Sequence, residues 1–259
     1  MKKLLHHPPL ITMPKKKDIL SQIPWLECLR SDELSKISTS FEDFVFQRGD
    51  VLVKQNEPSD SVHVLARGSV VVSYQTESGD NIEIEELGIG SVFGEIAWAL
   101  KSKRGASIIA TSPGLLFTIN SSSLHLIAEA NENLDFKLWE TCGRRLSENM
   151  LSMQYGKSRR QAREMTLEMH LHKVDPIKKK ISFLGGTLVI ILKGICIVRD
   201  DISKQSVMFE APDIIRSCQG EKLYYIVEFS TDARFMCKPD AFQRGISPCL
   251  GALDCLIQL

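Results

Sequence analysis

The rhythm of apolar and polar positions changes several times along this chain. Between Asp18 and Ser40 the apolar residues Ile19, Leu20, Ile23, Leu26 and Leu29 recur at three- and four-residue spacings, which predicts helix. Pro24 cannot sit inside a helical turn and must start a new one. From Phe41 to Ile119 the pattern becomes a series of short strands: Phe44-Val45-Phe46, Val51-Leu52-Val53, Val62–Leu65, Val70–Tyr74, Ile82–Glu85 and Leu115–Ile119. Turn signals separate them at Arg48-Gly49-Asp50, Gln55–Asp60, Gly68 and Ser78-Gly79-Asp80-Asn81. Many short strands at close spacing predict an antiparallel sandwich or barrel. From Ser121 to about His172 the chain reads as helix again, capped by a serine and carrying Leu124, Ile127, Phe136, Leu138, Trp139, Leu146, Met150 and Leu151. Residues 181–245 return to strands. They hold a faint internal repeat: Val62–Leu65, Gly68 and Val70–Val72 are echoed by Val189–Leu192, Gly194 and Cys196–Val198.

Composition narrows the function. The 259 residues carry 32 basic and 32 acidic side chains, and this zero formal charge argues against a chain whose main work is gripping nucleic acid. The longest apolar stretch, Thr187–Leu192, reaches Val198 only across Lys193, well short of the roughly 20 residues of a membrane span. Met1–Leu5 is too short for a secretory signal. The seven cysteines are scattered without a Cys-x-x-Cys pair, as expected of reduced thiols on the cytoplasmic side.

The chemistry concentrates in Ser91–Leu100 and the following Lys103-Arg104-Gly105-Ala106-Ser107. Gly94 lets the backbone approach a ligand or take a positive φ. A short helix starting at Glu95 would offer unpaired N–H groups to an anion. Arg104 adds a planar cationic fork. Glu95 is unfavourable beside an anion unless it accepts from another part of the same ligand, such as sugar hydroxyls. One carboxylate for hydroxyls, with one arginine and several amides for a phosphate, describes a nucleotide whose phosphate lies close to its ribose.

Phe93-Gly94-Glu95-Ile96-Ala97 with Arg104-Gly105-Ala106-Ser107 resembles the phosphate-binding cassette of the cyclic nucleotide-binding domain family. Gly49, Asp60, Gly68 and Ala110 fit the same pattern, with His63 where an aromatic is usual and Asn56 where a turn glycine is frequent. The resemblance covers about Ile19 to Leu151 and implies an α+β chain: a cyclic nucleotide-binding jelly-roll β-barrel with flanking helices, followed by a second small β-rich domain. It implies that Glu95 accepts from the ribose 2′-hydroxyl and that Arg104 pairs with the cyclic phosphate. The N–H groups of Gly94, Ile96, Ala97 and Ala106 would hold ribose or phosphate oxygens, with Ser107 beside them. Gly105 stands where members favouring cyclic GMP often carry threonine. That tilts the expected ligand to cyclic AMP, with cyclic GMP as the alternative. A lid helix over the purine would draw on Arg145, Leu146, Met150 and Met153.

Other motifs fail. Gly156-Lys157-Ser158 lacks the earlier glycine of a P-loop, since position 151 is leucine. His170-x-His172 has the wrong spacing for one helix face, so no metal is expected. Lys157–Arg163 reads as a solvated basic face. No nucleophile–base set stands out, and no enzyme activity is expected.

The expected organisation is a lead-in over 1–17, a nucleotide domain with its lid over 18–155, a basic helical linker over 156–180 and a small β-rich domain over 181–259. In that last part Phe209-Glu210 resembles a cassette remnant without a following Arg-x-Ala-Ser and with Pro212 interrupting it. The order of parts resembles the cytosolic C-terminal region of the sperm-type sodium/proton exchanger family. That resemblance implies regulation of ion transport at the cytoplasmic face of the sperm flagellar membrane. The partners would be a cyclic nucleotide, the membrane transporter domain of a longer form and a second copy of the chain, with no nucleic acid. Two other readings stand beside it: a non-binding structural barrel, and the regulatory end of a cyclic nucleotide-gated-type channel.

Overall fold

The computed structural model describes residues 15–153, 156–174, 177, 180–184, 188–199, 206–216, 224–231, 233–237 and 242–243. The helix expected between Asp18 and Ser40 is two short helices, α1 (Lys16–Leu20) and α2 (Ser31–Ser38). Pro24 has no N–H to continue the ladder, and the chain crosses the gap in turns such as Leu26 N–H to the Ile23 carbonyl at 2.8 Å. The turn still buries Ile23, Trp25 and Leu26, because the apolar spacing serves packing even where the helix stops.

Eight strands follow: β1 (Glu42–Phe46), β2 (Val51–Val53), β3 (Ser61–Arg67), β4 (Val70–Gln75), β5 (Asn81–Leu87), β6 (Val92–Phe93), β7 (Ser107–Ala110) and β8 (Gly114–Asn120). They form two antiparallel sheets ordered β1-β8-β3-β6 and β2-β7-β4-β5, the jelly-roll arrangement expected. Helix α3 (Glu95–Leu100) sits between β6 and β7, and α4 (Ser121–Glu129) and α5 (Glu132–Met153) follow β8. β3 is apolar on both faces for a reason. Leu65 points into the barrel with Phe46, Phe93 and Leu116, whereas Val62, Val64 and Ala66 face the helices with Leu20, Leu124 and Leu138.

The helical pattern expected to reach His172 ends sooner, at α6 (Arg159–Thr166), and His170–Lys173 is strand β9. The basic segment 156–180 is thus part helix and part sheet. The remaining strands are β10 (Lys180–Leu184), β11 (Leu188–Lys193), β12 (Ile195–Arg199), β13 (Ser206–Glu210), β14 (Asp213–Arg216), β15 (Tyr224–Phe229), β16 (Arg234–Cys237) and β17 (Phe242–Gln243). Their sheets run β9-β16-β11-β14 and β17-β10-β15-β12-β13. With β17 set aside, β9 to β16 follow the strand order of β1 to β8 one for one. The sequence repeat lies on matching strands, β3-β4 and β11-β12, and its turn glycines Gly68 and Gly194 take φ of 91° and 87°.

This correspondence moves one expectation. Phe209-Glu210 lies on β13, which matches β5 and not the cassette. The place matching α3 is the connection from β14 to β15, residues 217–223, outside the described residues. It has seven residues where the first body has thirteen, 94–106. Among the described residues, no helix is long and apolar enough to cross a membrane.

Candidate ligand-binding site

Gly94 opens α3 with φ of 89°, in the left-handed region that favours glycine. A side chain there would also strike the Arg104 guanidinium and the Ser61 carbonyl. The glycine therefore both turns the chain and admits the arginine. Asn56, where a turn glycine is frequent, takes φ of 68°. Its N–H donates to the Arg104 carbonyl at 2.9 Å, and the Arg104 N–H donates to the Glu57 carbonyl at 2.9 Å, so this turn clamps the backbone of the cassette loop.

Arg104 is only 5% exposed. Its Nη2 donates to the Ser61 carbonyl at 2.7 Å and to Ser61 Oγ at 3.2 Å, while Nη1 donates to the Gly94 carbonyl at 3.3 Å. Asp60 Oδ1 lies 3.6 Å from Nη2. Burial draws the Arg104 pKa down, and the charges of Asp60 and Glu95 oppose that.

Glu95, 2% exposed, is buried beside α5. Arg145 Nη1 lies 2.7 Å from Glu95 Oε1 and donates to the Val92 carbonyl at 2.6 Å. The pair neutralises charge, with Arg145 the charged donor beside Oε1. Burial pushes the Glu95 carboxyl above the usual carboxylate range, with the Arg145 charge the largest opposing effect. Glu95 and Arg104 do not simply pair with each other, as an empty structural barrel would allow; each has its own partner.

The other expected residues divide. Ile96 and Ala97 lie on the first turn of α3, whose leading N–H groups have no partner within their own helix. Ala106 is half-buried in the loop next to Arg104. Ser107 is committed to the sheet: its Oγ accepts from the Gln55 N–H at 3.0 Å. Of the four lid residues, only Arg145 is placed against Glu95. Leu146 faces the crevice between α3 and Leu192, Met150 is in the main core, and Met153 is 60% exposed at the end of α5. The cause is rotation. One turn after Arg145 comes the polar stripe of Glu148 and Asn149, so the apolar candidates face the protein. That stripe borders a groove of about 310 Å3, walled also by Glu85 of β5 and Arg159 of α6. Arg159 pairs with Glu85 at 2.6 Å, so the basic stretch at 157–163 is more than a solvated face.

Sequence reasoning did not assign work to Ser61, although Asp60 and His63 beside it belonged to the motif. Trp98 packs as expected. Its Nε1 donates to the Ser121 carbonyl at 3.3 Å, and its ring lies 4.6 Å from His125 and 6.3 Å from Trp139.

Helix α5 is held on its other side by the second body. Arg234 Nη2 bonds Asp135 at 2.6 Å while its guanidinium lies 4.7 Å over the Trp139 ring. Gly143 meets Leu192 and Met236 so closely that an added side-chain carbon would displace them. One helix thus touches Glu95 on one side and β11 and β16 on the other.

Comparison with known proteins places this site in context. Residues 44–131 match the family model described as the cyclic nucleotide-binding domain. Over 104 residues the chain is 35% identical to a Drosophila melanogaster cGMP-dependent protein kinase, isozyme 2 forms cD5/T2, covering 40% of this chain and 11% of that protein. It is 27% identical over 95 residues to the Drosophila melanogaster cAMP-dependent protein kinase type II regulatory subunit, covering 37% and 25%. The regulatory domain of Toxoplasma gondii PKA, crystallised with cAMP, aligns over 86% of this chain and 87% of its own, at 14% identity and a TM-score of 0.44. The chain thus spans a small part of the curated relatives it matches.

Proposed function

We propose that the first barrel, a cyclic nucleotide-binding domain, is a ligand sensor whose occupancy is passed through α5 to the second body. The observation that carries this reading is the pair of buried, opposite charges in one loop, Glu95 beside Arg145 and Arg104 on Ser61 and Gly94. The Glu95 carboxylate has acceptor capacity beyond Arg145 for a ribose hydroxyl, and a cyclic phosphate is the acceptor that suits Arg104. Cyclic AMP is the favoured nucleotide, because Gly105 offers no hydroxyl next to Arg104. Only a difference in affinity between two positions of α5 can drive an output.

The second body is proposed to be a relative of the first barrel that lacks a working cassette. Its matching strand order and its shorter connection between β14 and β15 support this. The proposed setting is the cytoplasmic region of a sodium/proton exchanger, supported by the order of barrel, basic helix and second β body. A transporter domain and a second copy of the chain would be its partners, and a channel is the rival output. Sequencing of the transcript decides between transporter and channel: an encoded transporter domain supports the exchanger, an encoded channel pore supports the channel, and neither overturns both settings.

A specific observation favours the second reading, a structural barrel without ligand: Ser61 and Gly94 already accept from Arg104. Titration calorimetry with cyclic AMP and cyclic GMP separates the two. Saturable heat supports the sensor, and its absence at millimolar nucleotide with the chain folded leaves the structural barrel.

A further inference from the structure

His63 stands on β3 where the family pattern usually has an aromatic. Its ring is buried and stacks on Phe93, with centroids 5.1 Å apart. Its Nδ1 lies 2.9 Å from Thr118 Oγ1, and its Nε2 lies 3.1 Å from Ser61 Oγ. The same Ser61 oxygen is 2.7 Å from Asp60 Oδ1 and 3.2 Å from Arg104 Nη2. Ser61 is therefore a junction with three neighbours.

The directions of these bonds follow from donor counts. A serine hydroxyl has one proton and two acceptor lone pairs; a guanidinium only donates; an ionised carboxylate only accepts. Asp60, largely exposed, takes the Ser61 proton. Arg104 donates to one lone pair, and His63 must donate to the other. This fixes the Nε2–H tautomer and makes Nδ1 the acceptor of the Thr118 hydroxyl. The reverse assignment, with Ser61 donating to His63, leaves two oxygens 2.7 Å apart with no proton between them.

We infer that His63 is a positioning residue, whose Nε2–H holds the Ser61 hydroxyl in the rotamer that anchors Arg104 and so aims the guanidinium of the cassette. A plain aromatic ring would fill the same space and leave the Ser61 hydroxyl held by Asp60 and Arg104 alone. The charged groups bearing on His63 are Arg104 from the cassette loop and Asp60 from the loop before β3; β6 and β8 present Phe93 and Thr118 to it. Burial first, and Arg104 second, draw its pKa down to about 4, so the neutral ring that this wiring needs persists at neutral pH.

The effect on nucleotide affinity rests on the proposed function, but the wiring does not. The first measurement therefore uses the ligand-free full chain with 15N-labelled histidine and reads the His63 tautomer from two-bond proton–nitrogen couplings. The Nε2–H form is expected; the Nδ1–H form, or a mixture, overturns the inference. The second is calorimetry with cyclic AMP and cyclic GMP on the wild type, His63→Phe, His63→Gln, Ser61→Ala and the double variant His63→Phe/Ser61→Ala. Each of His63→Phe and Ser61→Ala is expected to weaken binding about fivefold, the size of one net hydrogen bond. His63→Gln, which keeps an N–H donor, should recover to within about twofold of wild type. The double variant should bind no more weakly than Ser61→Ala alone, and additive losses would sink the idea. If the wild type binds neither nucleotide, the sensor reading fails, and the tautomer alone decides the role of His63.

Discussion

The two β bodies share a strand order and treat charge in opposite ways. Among the described residues, the first buries His63, Glu95 and Arg104, all around one loop. The second packs Val189, Ile191, Cys196, Phe229, Phe235 and Cys237 into an interior of hydrocarbon and thiol. Its one buried charge among the described residues, Arg234, is turned outward onto α5. Burying ionised groups costs several kcal/mol each unless partners are supplied. The first body supplies them from Asp60, Ser61, Arg145 and backbone carbonyls; the second avoids the cost. The same topology thus serves one body organised about a polar site and one organised about a contact.

The sharpest way to break this contrast is to remove Arg104. Losing one member of a buried, hydrogen-bonded charge pair costs about 2–5 kcal/mol, so Arg104→Ala should weaken nucleotide binding at least tenfold. Glu210→Gln on exposed β13 should leave it unchanged. Calorimetry on both variants checks this, and equal losses would mean that the two bodies are not functionally distinct.

A second contrast lies in pH. The folded His63 pKa of about 4 lies below its ordinary 6.5. The stability it contributes is therefore present above pH 6.5 and lost as pH falls through about 4. Its size is about 3 kcal/mol from the linkage between shift and free energy. The thiols of Cys196 and Cys237 are pushed the other way, up to about 12, by burial. Their contribution is present below the ordinary thiol value of 9.0 and lost as pH rises through about 12. Hydrogen exchange resolved by segment should show the first body weakening in acid, with His63→Gln removing most of that slope. A slope unchanged in the variant would assign the acid loss to other groups.

The contact between the bodies is expected to be worth less. Arg234→Ala deletes a charged hydrogen bond to Asp135 and a cation–π contact, together about 2 kcal/mol. Thermal unfolding should then separate into two steps as the second body leaves α5. A single transition that merely moves would mean that Gly143, Leu192 and Met236 hold the interface without it.

The cassette was legible because its chemistry sits in one short segment, Gly94 to Ser107. The repeat at Val62–Val72 and Val189–Val198 was legible because strands and turn glycines are local. What escaped depends on contacts distant in sequence. Ser61 acquires its role from Arg104 and His63 together, and His63 is fixed by Thr118, on another strand. The lid register is set by Gly143 against β11 and β16, so no helical spacing could tell that Arg145 faces Glu95 while Leu146 and Met150 turn inward. His170–Lys173 is too short and too polar to declare itself a strand; β16 makes it one.

The smallest expected effect concerns α6, which bridges the groove beside Glu95. Arg159 and Glu85 are half exposed, at 49% and 40%, and such pairs contribute about 0–1 kcal/mol. Arg159→Ala should lower the urea midpoint slightly, and more than Arg160→Ala, because Arg160 pairs within its own helix, with Glu164 at 2.9 Å. The cause is testable by salt. At about 1 M ionic strength the screening length falls to about 3 Å, so the gap between wild type and Arg159→Ala should close. A gap that survives would mean that the arginine stem, packed along the groove, and not its charge, holds α6 against β5.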